Sequence, residues 1–248
     1  MRFSRHRRKS YAVENLAGGL KTETLRCKFP VGREVKMEVT DKRDHPRGQN
    51  RNLGMEEPVD NFLQLELRHT GEILRMRRVR DSQGQTILAL DGSLPARADG
   101  PPLHIHLHER EEVIVKAGTL GAQIGNEKVV VSTGGTAVLP AGVVHKWWNA
   151  GDDLLELSGR ATPAVDLDRF LQALFAVLNA SPSGRPSIFY MAHVLSRHRH
   201  NQAIMVPPRA IQRIVFPLVL LVGRVLGKYR GTSWPGSPES SAGAPEGS

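Results

Sequence analysis

Short runs of alternating apolar and polar residues fill the middle of the chain. Between about residues 60 and 160, segments such as FLQLELRH, EEVIVKAG and EKVVVSTGG are rich in β-branched residues and end at Gly, Asn or Asp. Alternation with a period of two predicts half-buried strands, and turn signals about every eight to twelve residues are typical of an antiparallel sandwich or barrel. The pattern therefore predicts a β domain over residues 60–162.

After residue 163 the apolar period changes to that of a helix. The segment VDLDRFLQALFAVLNA carries apolar residues at i, i+3, i+4, i+7, i+8 and i+11, which form one stripe on a helix: Leu167, Phe170, Leu171, Leu174, Phe175 and Leu178. Pro and Gly then separate two further predicted helices, at 187–200 and 209–229. We therefore predict a helical extension over 163–229.

The third predicted helix is very apolar but short. Its uncharged part runs from Ile214 to Gly223, about half of the roughly 20 residues that a membrane span needs. Arg213 and Arg224 bracket it. Two interpretations remain open. The helix packs on the barrel or across a dimer, with Pro217 kinking it, or residues 209–229 make a peripheral contact with a membrane surface.

Both ends of the chain have the composition of disordered segments. Residues 1–58 are polar and basic, beginning with MRFSRHRRKS, and only EVKMEVT (34–40) resembles a weak strand. Residues 230–248 are rich in Gly, Ser and Pro. The basic start has no apolar segment typical of a secretory signal, and no nucleic-acid-binding motif is visible, so we expect no specific nucleic-acid binding.

Charge and cysteine content narrow the possible chemistry. The formal net charge is +9, and Cys27 is the single cysteine. One thiol can form neither an internal disulfide nor a cysteine-type zinc site, so a metal would need histidine and carboxylate ligands. The absence of a disulfide framework fits a cytoplasmic protein.

The segment HIHLHEREEVIVKAG (104–118) is the first candidate for such a site. Because side chains on a strand alternate between faces, His104 and His106 point to the same side. If a hairpin turn followed near LHER, a glutamate early in the returning strand would face both histidines. Two imidazoles and a carboxylate suit iron, manganese, nickel, copper, cobalt or zinc.

A second segment, GGTAVLPAGVVHKWWNAG (134–151), supplies a further ligand. Pro140 and Gly142 form a turn signal, and His145 stands at the start of the strand that follows. On that strand Trp147 points to the same face as His145. Trp147 and Asn149 are candidate pocket residues, although core packing would also explain Trp147.

These two segments resemble the two sequence motifs of the cupins. His104, His106, Glu111 and Gly118 match the first motif, whose leading glycine is replaced by Ala98. The second motif is matched by Gly134, Pro140, Gly142, His145 and Asn149. The resemblance covers roughly 62–160. It implies a mainly β fold, a double-stranded β-helix or jelly-roll barrel, followed here by C-terminal α-helices.

The resemblance also implies one divalent transition metal held by His104, His106, Glu111 and His145. An alternative register would use His106, His108 and Glu112. In the first register His108 lies exposed in a turn, and Glu109, Arg110 and Glu112 face solvent. Separately, we expect His193, His198 and His200 in the second predicted helix to form a solvated basic face.

Fold and metal do not define a reaction. We expect either a dioxygenase-type oxidoreductase acting on a small organic substrate, or a non-catalytic ligand-binding cupin whose helical tail mediates dimerisation or membrane docking. A homodimer is expected in either case, because cupin barrels often pair.

Overall fold

The computed structural model describes residues 62–181, 185–231 and 233–238, together with the backbone of two strands nearer the N-terminus. Those strands, β1 (Lys21–Lys28) and β2 (Glu34–Asp41), pair antiparallel. The strand predicted at 34–40 is therefore present, and its partner within the region predicted to be disordered was not anticipated. The basic segment 1–10 and residues 239–248 lie outside the described residues.

The barrel consists of two antiparallel sheets. The remaining strands are β3 (Leu63–Leu67), β4 (Glu72–Arg80), β5 (Thr86–Leu94), β6 (His104–His106), β7 (Arg110–Ala117), β8 (Thr119–Ile124), β9 (Glu127–Ser132), β10 (Thr136–Leu139), β11 (His145–Asn149), β12 (Leu155–Thr162) and β13 (Gln202–Ile204). One sheet has the order β10-β7-β12-β5-β4-β3, and the other β13-β6-β11-β8-β9. This arrangement confirms the predicted mainly β, jelly-roll fold.

Apolar residues from both sheets meet at one end of the barrel. Leu94, Val115 and Leu155 of the first sheet are almost fully buried against Leu120 and Val131 of the second. Each comes from a strand whose inward positions are apolar, as the period of two requires. This packed end leaves the other part of the interior free for polar ligands and a cavity.

Three helices follow the barrel, as predicted: α1 (Leu167–Asn179), α2 (Ile188–Arg197) and α3 (Arg209–Val225). Ala173 and Val177, at the edge of the apolar stripe of α1, pack with Val194 of α2 in a core that also contains Met76 and Leu88 of the barrel. Helix α1 is therefore covered on two sides.

The helical extension also contributes a strand to the barrel. β13 pairs with β6, so Gln202 lies directly opposite His106. The prediction placed the barrel at 60–162 and only helices at 163–229, so it missed this strand. Three residues, Gln-Ala-Ile, are too few to show a period.

Part of the C-terminal tail is packed, contrary to the prediction for 230–248. Trp234 is buried and stacks on Tyr190 of α2. Gly236 has a positive φ of 79° and lies so close to Val177 and Val194 that a Cβ would clash with both. The Gly/Ser/Pro-rich composition of this segment did not indicate that its one aromatic residue, Trp234, would be buried.

Pro217 lies inside α3, as predicted. In the described part of the chain, no helix combines the length and the apolar content that crossing a membrane requires.

Candidate metal centre

Two neighbouring strands place three histidines together. β11 pairs antiparallel with β6, and His145 lies directly opposite His104. The turn before β11 fixes this register, because the Gly142 amide donates a 2.7 Å hydrogen bond to the His106 carbonyl oxygen. Gly142 has a φ of 75°, a conformation that favours glycine. The turn motif therefore positions His145.

The side chains converge inside the barrel. The Nε2 atoms of His104 and His106 are 3.1 Å apart, and one nitrogen from each of the three histidines lies within 4.8 Å of the others. The carboxylate of Glu111 stands 3.7 Å from Nε2 of His106 and 3.7 Å from Nε2 of His145. The structure thus brings together all four predicted ligands.

Each histidine ring is oriented by an acceptor at Nδ1. His104 donates to the Pro102 carbonyl oxygen at 2.8 Å, and His145 donates to the Val143 carbonyl oxygen at 2.8 Å. His106 donates to Oε1 of Gln202. With the proton on Nδ1, the Nε2 lone pairs face the centre of the cluster, as they do in metal-binding histidines.

The centre contains buried lone pairs that need a cation. Nε2 of His145 is buried without a hydrogen-bond partner in the described structure. Two unprotonated Nε2 atoms in hydrogen-bonding range of each other repel, because neither has a proton to donate. A divalent ion satisfies all these groups at once, so the donor set fits a transition metal.

The pKa values are those of a site prepared for a cation. Burial, followed by the neighbouring imidazoles of His145 and His106, lowers the pKa of His104 to about 3, so its ring is neutral at pH 7. Burial alone would raise the pKa of Glu111, but the facing imidazoles outweigh it and lower this pKa to about 2. The cluster therefore presents the neutral imidazole of His104 and the carboxylate of Glu111.

The predicted hairpin between the histidines and Glu111 is wrong. β6 and β7 belong to different sheets and do not pair. The chain crosses from one sheet to the other at 107–109, and Glu111 approaches the histidines across the barrel interior. Sequence parity was correct for His104 and His106 but could not show which sheet supplied the carboxylate.

The residues of the alternative register separate in space. His108 is exposed in the crossing segment, as expected for the first register. Glu112 points away from the histidines and pairs with Arg110 at 3.0 Å and with Arg160 at 3.2 Å. The alternation of faces along β7 therefore sends Glu111 inward and Glu112 outward.

Glu109 was predicted to face solvent, but it is 0% exposed. Its Oε1 accepts hydrogen bonds from the three successive amides of Val165, Asp166 and Leu167, at 2.7, 3.2 and 3.3 Å. Oε2 accepts from the side-chain amides of Asn201 at 2.8 Å and Gln202 at 2.7 Å. Glu109 thus joins the start of α1 to the glutamine that orients His106.

The predicted solvated histidine face is also wrong in part. His198 is buried and donates from Nδ1 to Asp166 at 2.7 Å, while the exposed His200 lies 3.2 Å from the same carboxylate. Burial would raise the pKa of Asp166, but hydrogen bonds from His198 and Asn201 lower it to about 2. No sequence signal distinguished these polar residues from surface ones.

A cavity of about 360 Å³ extends from the metal centre to α1. His104, His106 and Glu111 line one part of it. The whole predicted stripe of α1 lines another: Leu167, Phe170, Leu171, Leu174, Phe175 and Leu178. Apolar side chains of the barrel, including Leu74, Leu90, Ala122 and Leu139, form most of the rest. The space is predominantly apolar, with polar groups concentrated at the ligands.

The two candidate pocket residues differ. Trp147 lines the cavity. Asn149 does not: its amide nitrogen donates to the carbonyl oxygens of Leu94, Pro95 and Asp153 at 3.0, 2.9 and 2.7 Å. Because its side-chain amide nitrogen donates to backbone carbonyl groups at the end of β5 and in the following loops, Asn149 holds the ends of β5 and β11 together.

Glu72 is an ionisable group in the cavity that sequence analysis did not identify. It is 8% exposed and lies among apolar residues such as Leu74 and Leu178. Burial raises its pKa to about 7. It therefore exchanges a proton near neutral pH, inside the same cavity as the histidines.

Comparisons with known proteins agree with this architecture. Residues 91–158 match the family model described as Cupin domain. No curated protein shows a significant sequence match.

Solved structures similar to this chain include three cupin-type proteins. The cupin domain of Cnp3 from Schizosaccharomyces pombe is 13% identical over 56% of this chain and 85% of that one, with a TM-score of 0.33. KdgF from Halomonas sp. is 20% identical over 38% and 81%, with a TM-score of 0.31. Bacillus subtilis oxalate decarboxylase, described with Mn(II) centres, is 16% identical over 47% and 31%, with a TM-score of 0.34. Likeness at this level says nothing about what this chain binds.

Proposed function

We propose that this chain, a member of the cupin superfamily through residues 91–158, binds one divalent transition metal and oxidises a small, largely apolar organic molecule in a dioxygenase-type reaction. The observation that carries the proposal is the continuity of the metal centre with an apolar cavity of about 360 Å³. His104, His106, Glu111 and His145 would hold the metal. When bound, it would supply Lewis-acid chemistry or, as iron or copper, dioxygen activation.

The cavity supports an apolar substrate. A site of about 300–1,000 Å³ with few polar groups is typical of small-molecule binding sites. The Leu171 and Leu174 side chains on α1 face this space, and Trp147 borders it from the barrel. These side chains would hold the hydrocarbon part of the molecule and exclude water around it.

Glu72 adds a polar contact. Below about pH 7 its carboxyl group is neutral and can donate a hydrogen bond to an oxygen of the bound molecule. Above that pH the carboxylate can only accept. The preference for a ligand with an acceptor oxygen should therefore weaken as the pH rises through about 7.

Metal analysis tests the first part of the proposal. Full-length protein should contain about one iron, manganese, nickel, copper, cobalt or zinc per chain by elemental mass spectrometry. His104→Ala and His145→Ala should lose it, and Glu111→Gln should weaken it. His108→Ala is the matched control, because His108 is exposed on the segment that follows β6. A wild-type protein that stays free of metal after reloading would refute the proposal.

Oxygen consumption tests the second part. The iron- or copper-loaded protein should consume dioxygen with small aromatic or aliphatic substrates that carry one oxygen-containing group. Leu174→Trp, which narrows the cavity at α1, should reduce consumption while the metal content stays unchanged. Metal without consumption, but with saturable quenching of the protein's tryptophan fluorescence by the same molecules, would favour a non-catalytic binding protein. The apolar lining also suits that second function.

A further inference from the structure

Helix α3 presents an apolar face to solvent. At about 100° per residue, eight apolar positions fall within an arc of about 140°, and all are exposed: Ile211, Ile214, Val215, Leu218, Leu221, Val222, Val225 and Leu226. Leu218 and Leu221 are each 58% exposed, and Val225 is 76% exposed. A continuous apolar face of this kind usually marks an interaction surface.

The opposite face of α3 is attached to the rest of the protein. Gln212 donates to the carbonyl oxygens of Ile204 at 2.8 Å and Pro207 at 2.6 Å, and Phe216 packs against the core shared by α1 and the barrel. Gly223 lies against the ring of Tyr229, where a Cβ would clash. These contacts turn the eight apolar residues outward, so the exposed face is a consequence of packing rather than of a loose helix.

Basic residues accompany this face without acidic partners. From residue 169 to 238 the sequence has no Asp or Glu but nine Lys and Arg: Arg169, Arg185, Arg197, Arg199, Arg209, Arg213, Arg224, Lys228 and Arg230. The last five are exposed and form no salt bridge within the described part of the chain. Basic residues beside an apolar helix face are typical of binding to anionic lipid surfaces.

Charge distinguishes between the possible occupants of the face. A second copy placed symmetrically on α3 would bring Arg213 and Arg224 towards an equally basic surface, because residues 169–238 contain no Asp or Glu. Residues 1–10 carry five basic residues and no acid, and residues 239–248 contain no large apolar side chain. An anionic membrane surface matches both the apolar face and its charge.

We propose that α3 docks this protein on an anionic membrane surface, with the eight apolar side chains in the headgroup boundary and the basic side chains at the lipid phosphates. This inference does not depend on the metal or on catalysis. Helix α3 lies along the surface, because its uncharged stretch is too short to cross.

Vesicle sedimentation with the full-length, metal-loaded protein tests the proposal. The protein should sediment with phosphatidylcholine vesicles that contain phosphatidylglycerol and should bind weakly to pure phosphatidylcholine. Leu218→Ser with Leu221→Ser should reduce partitioning about tenfold, because two side chains lose their apolar burial. Val130→Ser with Leu154→Ser is the matched control, since both residues are comparably exposed on the barrel. It should leave partitioning unchanged.

A charge variant separates the two contributions. Arg213→Gln with Arg224→Gln should reduce binding to the anionic vesicles about tenfold and leave the weak binding to neutral vesicles unchanged. Added salt should have the same selective effect.

Two results would overturn the proposal. One is absence of sedimentation with anionic vesicles while circular dichroism shows a folded protein. The other is a dimer in sedimentation-velocity runs that dissociates in the Leu218→Ser/Leu221→Ser variant, which would assign the face to a second copy.

Discussion

Helices α1 and α3 have similar apolar patterns but opposite environments. Both carry a continuous stripe at helical spacing. The stripe of α1 faces the barrel and borders the cavity, so Phe170 and Phe175 are buried. The stripe of α3 faces solvent, and Leu218 and Leu221 remain more than half exposed. A stripe therefore predicts a helix with one apolar face but does not identify what covers that face.

The two helix starts account for part of the difference. The first amides of α1 are bound by the buried Glu109 carboxylate, and Arg78 holds Asp168 in the first turn with two hydrogen bonds of 2.6 and 2.7 Å. Helix α3 follows Pro208, has no side-chain cap and no acidic residue in its first turn. The barrel thus holds α1 in a fixed place through polar contacts, while α3 is held mainly along one side.

The largest contrast is expected from truncating one apolar residue on each helix. Phe170→Ala should lower the free energy of unfolding by about 4 kcal/mol, because it leaves a cavity in a packed core. Leu218→Ala should change it by less than about 0.5 kcal/mol, because more than half of the Leu218 side chain is already exposed to solvent. Urea unfolding of the two variants measures both values. Equal losses would mean that α3 is packed in solution and would remove the contrast.

Burial in the cavity that α1 borders should also affect how the free energy of unfolding depends on pH, through Glu72. The pKa of Glu72 is raised from 4.5 to about 7, so the folded protein keeps a proton that the unfolded chain releases. The contribution of Glu72 to the free energy of unfolding is therefore largest below about pH 4.5. It falls by about 3 kcal/mol as the pH rises to about 7. Glu72→Gln should remove that loss in urea unfolding at pH 5 and pH 8.

Glu66→Gln is the control for this effect, because Glu66 is an exposed residue of the neighbouring β3. If Glu72→Gln and wild type showed the same pH dependence of unfolding, water would reach Glu72 in the cavity.

A smaller effect is expected at the start of α1. Glu109→Gln replaces one acceptor oxygen with an amide that faces the donors of Asn201 or Gln202, and should cost about 2 kcal/mol. Hydrogen exchange of the Val165–Leu167 amides should accelerate. Glu112→Gln, on the outer face of β7, should leave these amides protected. Unchanged exchange in Glu109→Gln would contradict the role assigned to this carboxylate.

The smallest effect is expected for the Arg78–Asp168 pair. Arg78→Gln removes a bidentate ion pair and two hydrogen bonds to the carbonyl oxygens of Ala164 and Val165, and should cost about 1 kcal/mol because the pair is partly exposed. Arg97→Gln breaks the exposed pair with Asp152 and should have no measurable effect. Thermal unfolding compares the two variants. Equal melting temperatures in Arg78→Gln and wild type would show that the Arg78–Asp168 pair does not stabilise the start of α1.

The candidate site was predictable as far as local patterns reach. His104 and His106 share a face because strand parity is a local property, and the positive φ of Gly142 explains why a glycine turn precedes His145. Glu109, Gln202 and Glu72 were missed. Their environments depend on elements about 56 to 96 residues away or on burial among several strands, and no spacing along the chain records such contacts.

The sequence by itself predicted most strands of the barrel, the turn before His145 and the helix stripes, because each depends on residues close together along the chain. The four candidate ligands came from the resemblance to the two cupin motifs. Only the tertiary structure decided that Glu111 reaches the histidines from the opposite sheet, that Gln202 adds to the barrel beside His106, and that α1 is covered while α3 is exposed. These outcomes depend on how separate elements pack, and packing is a balance of burial and polar satisfaction over the whole molecule.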